Sequence, residues 1–415
     1  MNGEAEDRGV GLRPFLVLWG GQALSLLGSQ VVGFALIWWL TKTTGSASIL
    51  AAASLASMVP PVVLGPWIGV WVDRWNRKRI LLLSDGTVAL ATLALLLLFR
   101  AGQASVPAVL ALLAVRGLAG GFHGTAMSAT TRLMVPDRWL TRIQGLNQML
   151  QGGGGIVAAP LGALALELLP MHGVIAIDLA TAACALLPLA FLSIPQPEVD
   201  PARAARPADS LRDMREAWQW LRPRRGLLLL MAMAAGINLL LVPAFSLLPL
   251  FVQRELDGGA PLLALLESAA GGGSLLGGLL LAVWGGFQRR IHTVLAGLLG
   301  IGAGVTAFGL APAAFPAWAI ACLVGVTVTS GLCNGALGAI LQATVDPALQ
   351  GRVFALLGTL SMGAAPLGLA VAGPVADLLG LRPLFVAGGL FCAACGLAGF
   401  RSPALLQVDR PIPSA

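Results

Sequence analysis

Of the ionisable side chains inside long apolar stretches of this 415-residue chain, four are the best suited to carry chemistry. They are Arg116, His123, Asp178 and Glu267. An ion in hydrocarbon costs roughly 2.5–3.5 kcal/mol even on lenient insertion scales, so each of them needs a role or a partner. A carboxylate in such a place can take up and release a proton, and a nearby arginine can stabilise its charged form. These four residues are therefore candidates for coupling a proton to a substrate.

Each of these candidates also has a structural interpretation. Arg116 shares a helical face with His123 and either adjusts a substrate or proton site or pairs with a carboxylate for structural reasons. Glu267 shares a face with Ser274 and is either a protonatable cavity carboxylate or part of a gate or packing contact. Asp178 is the second candidate carboxylate. His123 either titrates near neutral pH or is a packing histidine with satisfied hydrogen bonds.

Uncharged polar residues in the same kind of stretch are candidates for lining a cavity. The candidates are Gln22, Ser25, Ser29, Asn147, Gln151, Asn238 and Asn334. The first three recur at helical spacing in one stretch, and so do the next two in another. Hydrogen bonding between helices, worth about 0.6 kcal/mol on average, explains any one of them equally well. The remaining surroundings are apolar, which suits an amphiphilic substrate better than a sugar or an anion.

The composition shows which elements must position these residues. With 57% hydrophobic residues, 11% charged residues and a mean hydropathy of +0.84, the chain cannot be a water-soluble globule. About twenty apolar residues suffice to cross a bilayer as a helix, and such stretches predict an all-α integral membrane protein with twelve transmembrane helices. The predicted spans are Phe15–Leu40, Ser48–Val72, Ile80–Phe99, Val106–Leu133, Leu140–Leu169, Val174–Ile194, Gly226–Val252, Pro261–Phe287, Ile291–Ala311, Phe315–Val345, Val353–Leu379 and Leu384–Phe400.

The positions of the basic residues predict the orientation. Of the 26 lysines and arginines, 21 fall on one side of the predicted spans, four on the other, and Arg116 lies within a span. Cytoplasmic loops carry the excess of positive charge, so both termini are predicted to be cytoplasmic in a multi-pass protein of a bacterial-type plasma (inner) membrane. This topology also accounts for the net charge of +7, which therefore does not indicate nucleic acid as a partner.

The two halves of the sequence resemble each other. Gly65 and Arg77 have counterparts 212 residues later at Gly277 and Arg289. The turn from Val135 to Arg142 is repeated 210 residues later, from 345 to 352. These nearly constant offsets predict two six-helix bundles, residues 1–194 and 226–415, as in many secondary transporters.

The polar segment between the halves, residues 195–225, is predicted to be a cytoplasmic linker. Within it Leu211, Met214, Trp218 and Leu221 recur at helical spacing, and Ser210 is a suitable N-cap. We expect an amphipathic helix on the inner membrane surface.

A charged turn separates the second and third spans. Its residues Gly69, Asp73, Arg74, Arg77 and Lys78 form the pattern G-x-x-x-D-R-x-x-R-K. The pattern resembles the signature loop between helices 2 and 3 of major facilitator superfamily transporters, where it gates the cytoplasmic side. This chain departs from the family pattern only in carrying an asparagine in place of a glycine between the two arginines.

Further motifs sharpen the resemblance. Stretches 21–29, 44–47 and 145–148 and the tripeptide 284–286 are similar to the macrolide-efflux branch of the drug:proton antiporters. The segment Arg116–Gly120 resembles the fourth-span motif of that family. The resemblance implies two six-helix repeats, alternating access, a cavity lined by spans 1, 4, 7 and 10, and a role for Arg116 in tuning a substrate or proton site.

The same family fold implies that the second span faces the eleventh across the cytoplasmic mouth. Asp73 ends the second span, and the eleventh begins near Gly351. Its free backbone N–H groups and positive dipole end attract a carboxylate. We therefore expect Asp73 to hold the inner side closed, while the flanking cations stay with the lipid headgroups.

Competing classes are not supported by motifs. The sequence contains no HExxH, GxSxG or GxxxxGK[ST] pattern and thus predicts neither an enzyme nor a cofactor. The predicted function is proton-coupled efflux of amphiphilic small molecules by a monomer in the lipid bilayer. Export of a siderophore, flipping of a lysophospholipid and solute import remain alternatives, as does a receptor or scaffold without transport.

Overall fold

The computed structural model describes residues 12–196, 215–345 and 349–408, and almost all of them are helical. The helices are α1 Leu12–Thr44, α2 Ala47–Arg74, α3 Arg77–Arg100, α4 Val106–Met134, α5 Asp137–Leu168, α6 Met171–Phe191, α7 at 215–221, α8 Arg225–Ser246, α9 Leu248–Glu255, α10 Ala260–Trp284, α11 Arg290–Gly309, α12 Pro316–Thr344, α13 Gln350–Leu379, α14 Arg382–Arg401 and α15 Pro403–Leu406. Across the described residues, eleven helices are long and apolar enough to cross a membrane, and α13 adds a shorter apolar stretch at Gly363–Leu379.

The observed helices follow the predicted spans closely, with one interruption. The seventh predicted span, Gly226–Val252, is divided at Leu247 into α8 and α9. Pro243 lies inside α8 and Pro249 lies at the start of α9. Proline lacks an N–H group and crowds the preceding turn, so two prolines this close together break the helix between them.

The described residues divide into two compact units. The first contains residues up to Leu36 together with Ala56–Pro207. The second contains Ile37–Leu55 together with Ala208–Ala415. The segment around the α1–α2 turn therefore groups with the C-terminal half of the chain. The predicted boundaries at 194 and 226 remain a prediction.

Close approach of helices in the first unit depends on small residues. Gly21 and Gly28, seven positions apart on α1, face Cys184 and Thr181 on α6 with no room for a Cβ atom. Gly117 on α4 has the same relation to Ser57 on α2. Glycines allow apolar helices to pack at short distance where hydrophobic burial contributes little, as in lipid. A separate apolar core is formed by Phe15, Leu18, Ile68, Leu81, Met134 and Leu189.

The linker helix is present over the residues that the structure describes. Residues 215–221 are helical, with Leu221 buried and Trp218 exposed. Glu216 pairs with Arg352 at the start of α13, at 2.7 Å between Oε2 and Nη1. The predicted N-cap Ser210 lies outside the described residues, and so do Leu211 and Met214. That this helix lies on the inner membrane surface stays a prediction.

Candidate functional site

The charged turn joins α2 to α3 through a capped helix start. Asn76 is the N-cap of α3, and its Oδ1 accepts a hydrogen bond from the backbone N–H of Arg79 at 3.1 Å. Asparagine is among the best N-cap residues, so its departure from the family pattern has a local explanation. Gly69, Asp73 and Arg74 lie on the last turns of α2, with Asp73 and Arg74 exposed.

Two of the cations in this turn contact neighbouring helices of the first unit, and their predicted place at the lipid headgroups stays a prediction. The ammonium of Lys78 donates to the carbonyl of Ala190 at 2.8 Å, one residue before α6 ends. Arg77 donates through Nη1 to the carbonyl of Ala129 on α4 at 3.5 Å. The carbonyl of Ala190 lies in the last turn of α6, where carbonyls have no partner within the helix and attract cations. The turn is thus fixed to α4 and α6 within the first unit.

A buried ion pair links two helices of the first unit. Arg116 on α4 donates through Nη1 to Oδ2 of Asp178 on α6 at 2.7 Å, and the Asp178 side chain is 1% exposed. Ser29 on α1 donates to the other oxygen, Oδ1, at 2.8 Å. Thr92 on α3 contacts Asp178 Oδ2 at 3.1 Å and also accepts a hydrogen bond from Arg116. One carboxylate therefore joins four helices.

A second carboxylate, Asp85, connects three of these helices, α1, α3 and α4, at a different level. Asp85 on α3 accepts a hydrogen bond from Nε2 of Gln22 on α1 at 2.7 Å. Its other oxygen, Oδ1, lies 2.7 Å from Nδ1 of His123 on α4. When this carboxylate is ionised it can only accept hydrogen bonds, and His123 is then the donor in this pair. The sequence did not predict that Asp85 and His123 meet.

The two carboxylates form two layers of one polar ladder. Gln22 and Ser29 are seven residues apart on α1, Asp85 and Thr92 on α3, and Arg116 and His123 on α4. Seven residues are two helical turns, or about 10 Å. The seven-residue period keeps each pair on one face of its helix. The ladder unites three of the four ionisable candidates, and its two carboxylates have their oxygens satisfied in the described structure.

The other polar candidates of the first unit have more local roles. Asn147 on α5 accepts a hydrogen bond from Nε1 of Trp19 on α1 at 2.7 Å, a helix-to-helix contact. Ser25 lies between Gln22 and Ser29 on α1 and is half-buried. The side chain of Gln151 lies outside the described part of the chain.

The second unit contains an apolar cavity of about 670 Å³ lined by α8, the start of α9, α10, α11 and α12. Its apolar lining includes Met233, Phe245, Val294 and Leu323. Its polar groups are few: Asn238, Ser246, Glu267, Thr327, Ser330 and Asn334. Drug-sized ligands bind in pockets of roughly 300–1,000 Å³ that combine an apolar lining with a few polar groups. The structure thus brings Glu267, Asn238 and Asn334 together in one cavity.

Glu267 differs from the carboxylates of the ladder because it has no partner among the residues that the structure describes. Asn238 donates to the carbonyl of Ala234 on its own helix at 2.9 Å, and Asn334 to the hydroxyl of Ser330 at 3.1 Å. Both amides keep their oxygens available to a ligand. Glu267 itself is half-buried on α10. A carboxylate without a cation beside it, at the wall of an apolar cavity, can change its protonation state without breaking an ion pair.

The sequence analysis missed several members of these sites, among them Thr92 and Ser330. Thr92 follows Asp85 by seven residues on α3, and this spacing was the available signal for its position on the ladder. Ser330 precedes Asn334 by four residues on α12, one turn away, and lines the same cavity. Both are small hydroxyl residues, which occur often in apolar helices and rarely attract notice.

Comparisons with known proteins agree with this architecture. Residues 18–369 match the model of the Major Facilitator Superfamily. The chain is 33% identical over 384 residues to macrolide efflux protein A of Streptococcus pyogenes, covering 92% of this chain and 94% of that protein. It is 27% identical over 409 residues to the multidrug efflux pump Tap of Mycolicibacterium fortuitum, covering 95% of this chain and 97% of that protein.

A solved structure shows the same fold at low sequence identity. It is a bacterial homolog of the human lysosomal transporter Spinster, in an inward-facing and unoccupied conformation. It matches with a TM-score of 0.70 at 18% identity and covers 99% of this chain and 100% of that chain. The predicted all-α membrane fold with two six-helix repeats is confirmed. The chain is a multi-pass membrane protein that belongs to the major facilitator superfamily, alongside macrolide and multidrug efflux transporters.

Proposed function

We propose that this chain exports amphiphilic small molecules of the drug or macrolide type in exchange for protons. The observation that carries the proposal is the apolar cavity of about 670 Å³ with Glu267 at its wall. Its size and lining suit a drug-sized amphiphile, and the amides of Asn238 and Asn334 offer a small number of orienting hydrogen bonds. The efflux proteins to which the chain is similar act on molecules of this kind.

The proposed driving force is a proton gradient, and Glu267 is the group that binds and releases the proton. In the outward-facing state the carboxylate receives a proton, and substrate leaves. In the inward-facing state it releases the proton, and its charge and free oxygens are again available to substrate. Ionisable residues within membrane spans commonly mark such proton and substrate pathways.

The proposal includes an orientation and an assembly state. Both termini lie in the cytoplasm, the protein resides in a bacterial-type plasma (inner) membrane, and the monomer is the transporting unit. The excess of basic residues on one side of the spans supports the orientation. Siderophore export, lysophospholipid flipping, solute import and a non-transporting receptor are the rival functions.

A compound-susceptibility panel tests the proposed export. Cells that express the chain are expected to tolerate macrolides and other amphiphilic drugs better than cells with the empty vector. Lower intracellular accumulation of a radiolabelled macrolide in the expressing cells identifies export as the cause. Raised accumulation indicates import. Unchanged tolerance and accumulation across the panel would overturn the drug-export proposal and favour a lipid, siderophore or receptor role.

The charged turn gives a prediction about turnover. Asp73→Asn is expected to insert and fold normally but to dwell inward-open, because it loses the proposed contact with the N-terminus of α13. Helix-end contacts of this kind are worth about 0.3–2 kcal/mol, which shifts a two-state balance roughly two- to thirtyfold. The measurement is labelling of a cysteine placed at Gly351 from the cytoplasmic side, together with drug tolerance. Equal labelling in the Asp73→Asn variant and its parent would contradict the predicted contact.

A further inference from the structure

The outer end of α13 carries a carboxylate that binds the start of α2. Oδ1 of Asp377 accepts a hydrogen bond from the backbone N–H of Ala47 at 2.8 Å. Its Oδ2 accepts from the backbone N–H of Ser48 at 3.0 Å and from the hydroxyl of Ser46 at 3.0 Å. All four residues belong to the second unit. We call this set the outer latch.

The carboxylate of Asp377 accepts hydrogen bonds from backbone N–H groups that the start of a helix leaves unpaired. Ala47 and Ser48 are the first two residues of α2, and the first N–H groups of a helix have no partner within it. The positive end of the helix dipole lies at the same place, so a carboxylate that accepts from both N–H groups is held by charge as well as by hydrogen bonds.

The position of Asp377 within α13 does not itself favour a carboxylate. It lies in the last turn of α13, which ends at Leu379. A negative charge there opposes the negative end of that helix's own dipole. The contact with α2 compensates for this unfavourable placement, because it offers the carboxylate a positive helix end instead.

The backbones of α2 and α13 approach closely one turn away from the latch. Gly373 lies four residues before Asp377, and a Cβ atom added there would lie 2.8 Å from Ser48 Cα and 2.9 Å from Ala51 Cβ. No side chain fits at this distance without movement of the backbone. The close approach of α2 and α13 therefore depends on the glycine as well as on the carboxylate.

We infer that the outer latch closes the extracellular mouth of the transporter and must break each time the protein opens outward. This inference rests on the proposed alternating access and orientation. In sequence, α2 belongs to the first repeat and α13 to the second, so a movement of one repeat against the other separates the latch residues. The loop between α1 and α2 faces outward in the proposed topology. Asp73, predicted to close the inner side, lies at the opposite end of the same helix α2.

The repeat supplies a matched control. Glu167 precedes Asp377 by 210 residues, the same offset that relates Val135 to Val345. It lies in the last turn of α5 and is exposed, and among the described residues it has no hydrogen bond or ion pair. Glu167→Gln removes an equivalent helix-end charge without removing the latch.

The test measures access to the closed contact from outside. Ala51 is 2% exposed and faces Gly373, so a cysteine at position 51 is shielded while the latch is closed. In a background without the five native cysteines, an impermeant maleimide is applied to intact cells without drug. Gln103→Cys, an exposed site in the α3–α4 loop, calibrates the amount of protein accessible from outside.

Asp377→Asn is expected to raise the labelling rate at position 51 roughly two- to thirtyfold, the range for loss of a carboxylate at a helix end. Gly373→Leu is also expected to raise the labelling rate at position 51, because the leucine side chain separates α2 from α13. Glu167→Gln is expected to leave it unchanged. An unchanged rate in Asp377→Asn overturns the inference, and so does an equal rise in Glu167→Gln. The labelling requires neither substrate nor gradient, so it can succeed or fail independently of the proposed drug export.

Discussion

Glu267→Gln is expected to reduce gradient-driven export to the level of membranes without the protein. Glutamine mimics the protonated carboxyl group and cannot release a proton, so the cycle stops in one protonation state. Substrate binding is expected to persist, because the cavity of about 670 Å³ keeps its apolar lining and its two asparagines. Binding is measured with purified protein through quenching of intrinsic tryptophan fluorescence by a macrolide, and export is measured in everted vesicles.

Glu267→Asp is the control for this prediction. Aspartate keeps an ionisable group at the same position with one methylene fewer, so partial export with an altered pH dependence is expected. Export by Glu267→Gln at the parental rate would show that proton coupling does not use this residue. In that case the carboxylate would act only in substrate recognition or packing.

Arg116→Ala is expected to destabilise the protein by about 3–5 kcal/mol, the usual cost of removing one partner of a buried ion pair. Asp178 would keep Ser29 and Thr92 but lose its only cation among the described residues. The Asp178 side chain is 1% exposed, so water cannot solvate its charge. The measurement is the thermal unfolding of purified protein in detergent.

A double variant separates a structural role from a transport role. Arg116→Ala combined with Asp178→Asn removes both charges, so it is expected to recover most of the lost stability. If the pair is structural, drug export recovers with stability. If Arg116 acts on substrate or proton, the double variant is stable and inactive. A double variant no more stable than Arg116→Ala would contradict the account of a paired charge.

Much of the fold could be predicted because the ends of each apolar stretch indicate where a membrane-spanning helix begins and ends. α4 was predicted as Val106–Leu133 and is observed as Val106–Met134. The break at Leu247 was not predicted. Two prolines near the end of a span are compatible with a kinked helix or with two helices, and surrounding packing decides between them.

The candidate site could be predicted only in part, because sequence shows which residues are costly in a membrane but not which of them meet. Arg116 and Asp178 were each identified by the cost of burial, yet they are 62 residues apart and their pairing depends on the rotation and depth of two helices. Asp377 was not identified at all. It lies at the end of a span, where charge is common, and its significance comes from the start of α2, 330 residues away from it at Ala47.

The central claim, proton-coupled export, is tested most directly in everted membrane vesicles. An imposed pH gradient, acid inside and without respiration or ATP, is expected to drive accumulation of a radiolabelled macrolide in vesicles that contain the protein. A protonophore is expected to abolish that accumulation, and Glu267→Gln vesicles are expected to show none. Accumulation that is the same with and without the imposed gradient, or that persists with the protonophore, would contradict the account.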